Sequence, residues 1–243
     1  MKTAVILAAG MGTRLRSEHA DLPKGFLELN GTSIIEQSIA RLERAGISDI
    51  VIVTGYEAGH YEKLAEKHAG LIRTAHNPDF AASGSMYSLY CARDVLAAIP
   101  DEGFLLLESD LIYESRALDV LIAHESPDAV LLSGHTAAGD EVYVEAPNGN
   151  LVSMSKSRSQ LGSVAGELVG ISKISRGLFA LMKPLAAEHF RDSLYYDYET
   201  DCLVEAARSR EIACPVVADL IWTEIDDPAH LERARREIVP KLN

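Results

Sequence analysis

Apolar runs alternate along this chain with segments in which apolar residues recur at helical spacing. The runs have the length and β-branched content of buried strands, and the spaced segments resemble amphipathic helices. The runs predict strands at residues 4–7, 50–53, 71–75, 103–108, 129–133 and 212–217. Helices are predicted at residues 33–45, 57–68, 86–96, 115–124, 176–189, 197–209 and 228–238. This alternation predicts an α/β fold with a mostly parallel central sheet.

The pattern changes after residue 139. Short alternating runs at residues 142–144 and 151–154 flank the turn Pro147-Asn148-Gly149-Asn150, which is typical of a β-hairpin. Residues 166–172 predict a further antiparallel strand. No repeat or linker interrupts the chain, so we expect a single domain over residues 1–243, with a small antiparallel region at about 139–175.

A loop with two glycines, Ala8-Ala9-Gly10-Met11-Gly12-Thr13, follows the first predicted strand. Glycines let backbone N–H groups approach phosphate oxygens closely. The loop lacks the Gly-x4-Gly-Lys-Ser/Thr of a Walker A motif, and Leu15 stands where a dinucleotide fingerprint needs its third glycine. Arg14 and Lys24 add two cations beside the loop. A nucleotide-phosphate site is therefore predicted, with an ordinary tight turn as the alternative.

The amino-acid composition excludes several classes of binding partner. A net charge of -13 argues against a nucleic-acid polymer or an acidic membrane surface. The three cysteines have no metal-like spacing and are odd in number, which argues against a zinc site or a disulfide framework. The first apolar run is too short for a signal peptide, and no segment approaches the roughly 20 apolar residues of a membrane span. We expect a cytoplasmic protein without membrane insertion.

Two aspartates are candidate metal ligands. Asp110 directly follows an apolar strand, and Asp226 lies between a strand and a helix that starts at Pro228. Magnesium takes oxygen ligands, usually one or two carboxylates together with substrate phosphates. Asp110 also has an ordinary alternative as a helix N-cap, whereas Asp227 is better placed than Asp226 to cap the last helix.

The run Leu7-Ala8-Ala9-Gly10-x-Gly12-Thr13-Arg14-Leu15, with Pro23-Lys24, resembles the signature of nucleotidyltransferases that make sugar- and alcohol-nucleotide diphosphates. The resemblance implies a Rossmann-like, GT-A-like three-layer fold. It also implies that Asp110 and Asp226 hold Mg²⁺. Arg14 and Lys24 are then implied to contact the phosphates of a bound nucleoside triphosphate. The implied nucleotide-binding residues of this loop are Leu7, Ala8, Ala9, Gly10, Gly12, Thr13, Arg14 and Lys24.

Later segments resemble a narrower branch, the cytidylyltransferases that act on phosphocholine and 2-aminoethylphosphonate. These segments are Ser85-Met86-Tyr87-Ser88-Leu89, Gly139-Asp140-Glu141-Val142-Tyr143-Val144, Ser155-Lys156 and Trp222 to Asp227. The resemblance implies CTP as the nucleotide, with Ser83, Gly84, Ser85 and Ser88 bordering the cytosine. It also implies that Lys156, the third catalytic cation beside Arg14 and Lys24, faces the acceptor's anionic end.

The cationic end of such a zwitterionic acceptor also needs partners. A primary ammonium favours carboxylates, and a trimethylammonium favours aromatic faces. The candidate carboxylates are Asp140, Glu141, Glu167 and Asp197, and the candidate aromatic residues are Tyr143, Tyr195, Tyr196 and Trp222. Aromatic residues make up only 6% of the chain, which favours 2-aminoethylphosphonate over phosphocholine.

Several alternatives stay open at this point. They are phosphocholine or phosphoethanolamine as the acceptor, a sugar 1-phosphate with another nucleotide, and a non-catalytic nucleotide-sensing domain. The sequence also leaves open a homodimer, fusion to a further domain and the number of metal ions.

Overall fold

Strands and helices alternate along the chain, and the computed structural model describes residues 1–15, 22–99 and 103–242. The strands are β1 (Thr3–Ala8), β2 (Glu28–Leu29), β3 (Thr32–Ser33), β4 (Asp49–Thr54), β5 (Ile72–His76), β6 (Gly103–Glu108), β7 (Leu111–Tyr113), β8 (Ala129–Ser133), β9 (Tyr143–Glu145), β10 (Ser153–Ser155), β11 (Gly166–Ser175), β12 (Val216–Val217) and β13 (Trp222–Glu224). The α-helices are α1 (Ile34–Arg44), α2 (Ala58–Lys67), α3 (Ser85–Cys91), α4 (Arg93–Ala97), α5 (Arg116–Ala123), α6 (Arg176–His189), α7 (Val204–Ala207) and α8 (Pro228–Arg233).

The main sheet has the order β10-β9-β11-β6-β1-β4-β5, with β8 beside β11 and β12 beside β8. β1 is parallel to β4 and β6, and β4 is parallel to β5. β11 is antiparallel to β6, β8 and β9, and β9 pairs with β10 as the predicted hairpin. The predicted α/β class, with a mostly parallel sheet and an antiparallel region, is confirmed.

Helices cover both faces of this sheet because its central strands are apolar on both sides. In β1, Val5 packs into a core with residues of α3 and α6, whereas Ala4 and Ile6 pack into a second core with residues of α1, α2 and α5. The continuous apolar run of β1 therefore contributes side chains to two hydrophobic cores, one on each face of the sheet. The result is the predicted three-layer arrangement.

Several predicted elements differ in detail. The helix predicted over residues 86–96 is divided into α3 and α4, and near the break Arg93 Nη1 donates to the Tyr90 carbonyl at 3.1 Å. The strand predicted at 212–217 shrinks to β12, since Pro215 has no N–H to donate to a neighbouring strand. The helix predicted at 197–209 begins as a wide π-helical turn, Tyr198–Leu203, before α7.

A short strand pair outside the main sheet was not predicted. β7 and β13 are antiparallel, with Leu111 opposite Glu224, and the Ile225 N–H donates to the Asp110 carbonyl at 3.0 Å. This pairing brings the segment after β6 against the segment before α8. It therefore sets Asp110 beside Asp226.

The predicted start of the first helix is confirmed. The Ser33 hydroxyl accepts a hydrogen bond from the Glu36 N–H at 3.4 Å, and Ser33 Oγ lies 2.7 Å from a Glu36 carboxylate oxygen. Ser33 is therefore the N-cap of α1, and its hydroxyl also contacts the side chain of Glu36 in the first turn. Within the described part of the chain, no helix is long and apolar enough to cross a bilayer.

Candidate active site

The loop after β1 is shaped around Lys24. Gly12 has a φ of +55°, in the left-handed region that favours glycine. A Cβ on Gly12 would lie 3.0 Å from Cγ of Lys24, whereas a Cβ on Gly10 would meet no atom within 4 Å. Of the two glycines, Gly12 is thus the one that the local geometry requires.

The ammonium of Lys24 lies between the two predicted metal ligands. Lys24 Nζ is 2.8 Å from Asp110 Oδ2 and also contacts Asp226 Oδ1, and Arg14 Nη2 is 2.9 Å from Asp226 Oδ2. Burial alone would lower the pKa of Lys24, but the two carboxylates hold that pKa above its ordinary value. Burial would likewise raise the pKa of Asp226, but Lys24 and Arg14 hold it below its ordinary value. These charges therefore stabilise one another.

Neighbouring secondary structure fixes both aspartates. The Asp227 side chain caps α8 by accepting the His230 N–H at 2.9 Å, as expected, and the Asp226 N–H donates to His230 Nδ1 at 3.3 Å. Asp110 is not the cap of the next helix, since the N-cap residue of α5 is Ser115. This excludes the alternative that Asp110 serves as the N-cap of the next helix.

Glu224 joins these aspartates as a third carboxylate that was not predicted. Oxygens of Asp110, Glu224 and Asp226 lie within 4.8 Å of one another. Burial, followed by the charges of the two aspartates, raises the pKa of Glu224. Asp110 Oδ1 is buried and has no hydrogen-bond partner among the described residues. A site of clustered oxygens with one unpaired buried acceptor fits a hard divalent cation such as Mg²⁺.

A cavity of about 460 Å³ opens above this cluster, at the carboxyl ends of β1 and β6. Many predicted site residues line it together: Leu7, Gly10, Gly12, Thr13, Arg14, Lys24, Ser85, Asp110, Asp140, Lys156, Asp197 and Asp226. Ligands of open α/β sheets bind at this edge. The structure thus gathers one predicted set from segments that lie far apart in the sequence.

A second cavity, of about 80 Å³, adjoins the first. Glu141 and Glu167 line only this smaller cavity, whereas Asp140 lines both. Trp222 lies in its wall. The four predicted acceptor carboxylates are therefore divided, with Asp197 in the larger cavity and Glu141 and Glu167 in the smaller one.

These carboxylates already have partners of different kinds. Glu167 is buried and accepts from the Thr136 N–H at 2.8 Å and faces His135 Nδ1 at 2.5 Å. Asp197 Oδ1 accepts from the Ser85 N–H at 3.1 Å. Burial would raise the pKa of Glu141, but backbone hydrogen bonds from residues 138, 139 and 141 and from the Tyr143 hydroxyl hold it below its ordinary value. Glu141 therefore keeps its negative charge in the smaller cavity, while its oxygens accept hydrogen bonds from the backbone and from the Tyr143 hydroxyl.

Five predicted nucleotide residues do not line either cavity: Ala8, Ala9, Ser83, Gly84 and Ser88. Asn77, which was not predicted, is fully buried and its Nδ2 donates to Ser83 Oγ and Ser88 Oγ at 3.0 Å each. A Cβ on Gly84 would lie 2.6 Å from the Tyr196 carbonyl oxygen. These contacts fix the shape of the segment that presents Ser85.

Two further carboxylates, Glu108 and Glu199, lie where the two cavities meet and were also missed. Burial, then Glu199 and Asp110, raises the pKa of Glu108, and burial also raises the pKa of Glu199. The signal in the sequence was weak. Glu108 ends a strand that is otherwise apolar, and only this break in the pattern marks it.

Comparison with known proteins matches residues 4–191 to the family described as "MobA-like NTP transferase domain". The CMP-5'-(3-aminopropyl)phosphonate synthase of Streptomyces rubellomurinus is 30% identical over 247 residues, which cover 95% of this chain and 38% of that protein. The 2-aminoethylphosphonate cytidylyltransferase of Lancefieldella rimae is 28% identical over 224 residues, or 86% of each chain. The chain thus spans well under half of the first relative and most of the second.

Among solved structures, the inositol-1-phosphate CTP transferase from T. maritima superposes with a TM-score of 0.84. It is 20% identical, and the match covers 100% of this chain and 96% of that one. At this identity the likeness concerns the fold. Together, the comparisons confirm the predicted nucleotidyltransferase resemblance and its amino-alcohol branch.

Proposed function

This chain belongs to the MobA-like NTP transferase domain family, and on that premise we propose that it is a magnesium-dependent cytidylyltransferase that transfers CMP from CTP to 2-aminoethylphosphonate. The products are CMP-2-aminoethylphosphonate and pyrophosphate. The observation that carries the proposal is the contact of Lys24 with Asp110 and Asp226 on the wall of the larger cavity. A domain that only sensed nucleotides would have no need of this arrangement of charges.

The reaction requires little covalent work from the protein. A phosphonate oxygen of the acceptor attacks the α-phosphorus of CTP, and the bond from that phosphorus to the oxygen of the leaving pyrophosphate breaks. The attacking oxygen is already anionic near neutral pH, so no general base is needed. Catalysis then consists of in-line positioning and neutralisation of negative charge.

The cations of the larger cavity suit these tasks. Arg14 and Lys24 would bear on the phosphates, and Lys156 would hold the anionic end of the acceptor. Asp110 and Asp226, with Glu224 beside them, would hold Mg²⁺. When bound, that ion would neutralise charge on the triphosphate.

The smaller cavity supports an amino-bearing acceptor. Its carboxylates suit an ammonium that donates up to three hydrogen bonds, and Glu141 is held ionised by its own surroundings. Trp222 in the same wall keeps phosphocholine as the second candidate, since an indole face attracts a trimethylammonium.

A substrate panel tests the proposal. Pyrophosphate release is measured with CTP and Mg²⁺ against 2-aminoethylphosphonate, 3-aminopropylphosphonate, phosphoethanolamine, phosphocholine and glucose 1-phosphate. UTP, ATP and GTP serve as nucleotide controls. We expect kcat/KM for 2-aminoethylphosphonate to exceed that for phosphocholine at least about tenfold, because a trimethylammonium cannot donate the hydrogen bonds that a primary ammonium donates to carboxylates. A preference for phosphocholine or a sugar phosphate would contradict this choice of acceptor.

The variant Glu141→Gln tests the position of the acceptor's amine. It keeps the side-chain size and removes the charge, so we expect the KM for 2-aminoethylphosphonate to rise about tenfold, as for the loss of a charged hydrogen-bond partner. The KM for CTP should stay within twofold. Glu211→Gln, at an exposed position outside both cavities, is the matched control. Equal acceptor kinetics in Glu141→Gln and wild type would remove Glu141 from the site.

A further inference from the structure

Protein cations already occupy most of the oxygens of the two candidate metal ligands. Lys24 contacts one oxygen of Asp110 and one of Asp226, and Arg14 contacts the other oxygen of Asp226. The fourth oxygen, Asp110 Oδ1, has no hydrogen-bond partner among the described residues. A divalent cation that binds both aspartates must therefore share these oxygens with Lys24 and Arg14 or displace one of the two.

The two cations differ in how firmly they are held. The side chain of Arg14 is 60% exposed, whereas that of Lys24 is 17% exposed and contacts two carboxylates. The aliphatic part of the Lys24 side chain runs close past Gly12. A Cβ on Gly12 would lie 3.0 Å from Cγ of Lys24. The local backbone therefore accommodates Lys24 in the position from which it bridges the aspartates.

Simple electrostatics then makes Lys24 and a metal ion competitors. An ammonium between two carboxylates neutralises much of their negative charge. A divalent cation therefore gains less electrostatic attraction from the same oxygens. A triphosphate in the larger cavity would offer Lys24 several anionic oxygens of its own. Lys24 would then leave the aspartates without becoming an unpaired buried charge.

From these contacts we propose that Lys24 and a divalent cation are alternative partners of the Asp110–Asp226 pair, so that nucleotide binding, by drawing Lys24 onto the phosphates, opens the metal site. This inference rests on the proposed function. It makes metal and nucleotide binding reciprocally coupled, since each favours the arrangement that the other needs. Lys24 thereby keeps the aspartates from binding metal tightly before CTP arrives.

The test is Mn²⁺ binding to the full chain without nucleotide, followed by electron paramagnetic resonance of free Mn²⁺. We expect Lys24→Met to bind Mn²⁺ at least about tenfold more tightly than wild type, because the competing charge is gone. Lys156→Met is the matched control: it removes one cation from the same cavity but none that contacts either aspartate in the described structure. Its Mn²⁺ affinity should stay within about twofold of wild type.

Two results would contradict the proposed exchange of Lys24 for a divalent cation at Asp110 and Asp226. One is an unchanged or weaker Mn²⁺ affinity in Lys24→Met, and the other is an equal rise in Lys156→Met, which would indicate a general effect of net charge. Thermal unfolding verifies that each variant is folded, and Lys24→Gln, which keeps a hydrogen-bond donor without the charge, replaces Lys24→Met if that variant does not fold. Lys24→Gln is expected to show the same rise in affinity.

The wild-type substrate panel separates this inference from the proposed function. If CTP turns over but Lys24→Met leaves Mn²⁺ affinity unchanged, the exchange is wrong and the cytidylyltransferase proposal stands. If Lys24→Met binds Mn²⁺ more tightly but no nucleotide turns over with any acceptor, the competition at the aspartates stands and the proposed reaction is wrong.

Discussion

Asp110→Asn is expected to lower kcat roughly a thousandfold, about 4 kcal/mol of lost transition-state stabilisation, while the protein remains folded. Asparagine preserves the shape of Asp110 and an oxygen for Lys24. It removes the negative charge that would hold a divalent cation under the proposed function and leaves a neutral amide near Asp226 and Glu224. Pyrophosphate release with CTP, 2-aminoethylphosphonate and Mg²⁺ measures the effect.

Asp119→Asn, an exposed position on α5, controls for loss of a carboxylate elsewhere and should retain wild-type turnover. Thermal unfolding of both variants establishes that inactivity is not unfolding. A folded Asp110→Asn protein with more than a tenth of wild-type kcat would contradict the role of Asp110 as a metal ligand.

The second large effect concerns stability, at an ion pair with a buried carboxylate and a partly buried guanidinium, remote from the two cavities. Asp128 is 1% exposed, and its two oxygens accept hydrogen bonds from the Ser175 N–H at 2.8 Å and from Arg210 Nε at 2.6 Å. Ser175 in turn caps α6, and Arg210 Nη2 donates to its hydroxyl at 3.1 Å. This network ties β11 and α6 to the segment before β12.

Asp128→Ala is expected to lower the free energy of unfolding by about 3 kcal/mol, because it leaves a buried N–H and a partly buried guanidinium without their acceptor. For a chain of this size the melting temperature should fall by roughly 6 to 12 °C. Urea unfolding of Asp128→Ala, wild type and the exposed control Asp119→Ala measures the difference. A loss below 1 kcal/mol would mean that water replaces the missing carboxylate.

The central sheet was predictable because its strands carry their own signal. A strand buried on both faces must be apolar at every position, and β1 and β6 meet that requirement over nearly their whole lengths. The glycine loop was equally predictable from the sequence, because Gly12 has a backbone conformation that few other residues adopt. Arg14, Lys24, Asp110 and Asp226 were found as a set from motif and resemblance, and they do lie together.

What the sequence could not supply was pairing between distant short segments. β7 and β13 have three residues each, too few for a periodicity, yet their register sets Asp110 against Asp226. Glu199 reaches the cavity wall from a π-helical turn whose geometry has no marker in the sequence. Asn77 lies in a loop, and nothing in the sequence marks its amide as the group that donates to two serines at once.

The most direct measurement is ³¹P NMR of wild-type protein with CTP, 2-aminoethylphosphonate and Mg²⁺. The proposed reaction predicts pyrophosphate together with a coupled pair of signals from the new bond between the α-phosphorus and the phosphonate, and neither in Asp110→Asn. Pyrophosphate without the coupled pair would mean hydrolysis rather than transfer. Unchanged CTP with this and every other acceptor of the panel would contradict the assignment as a cytidylyltransferase.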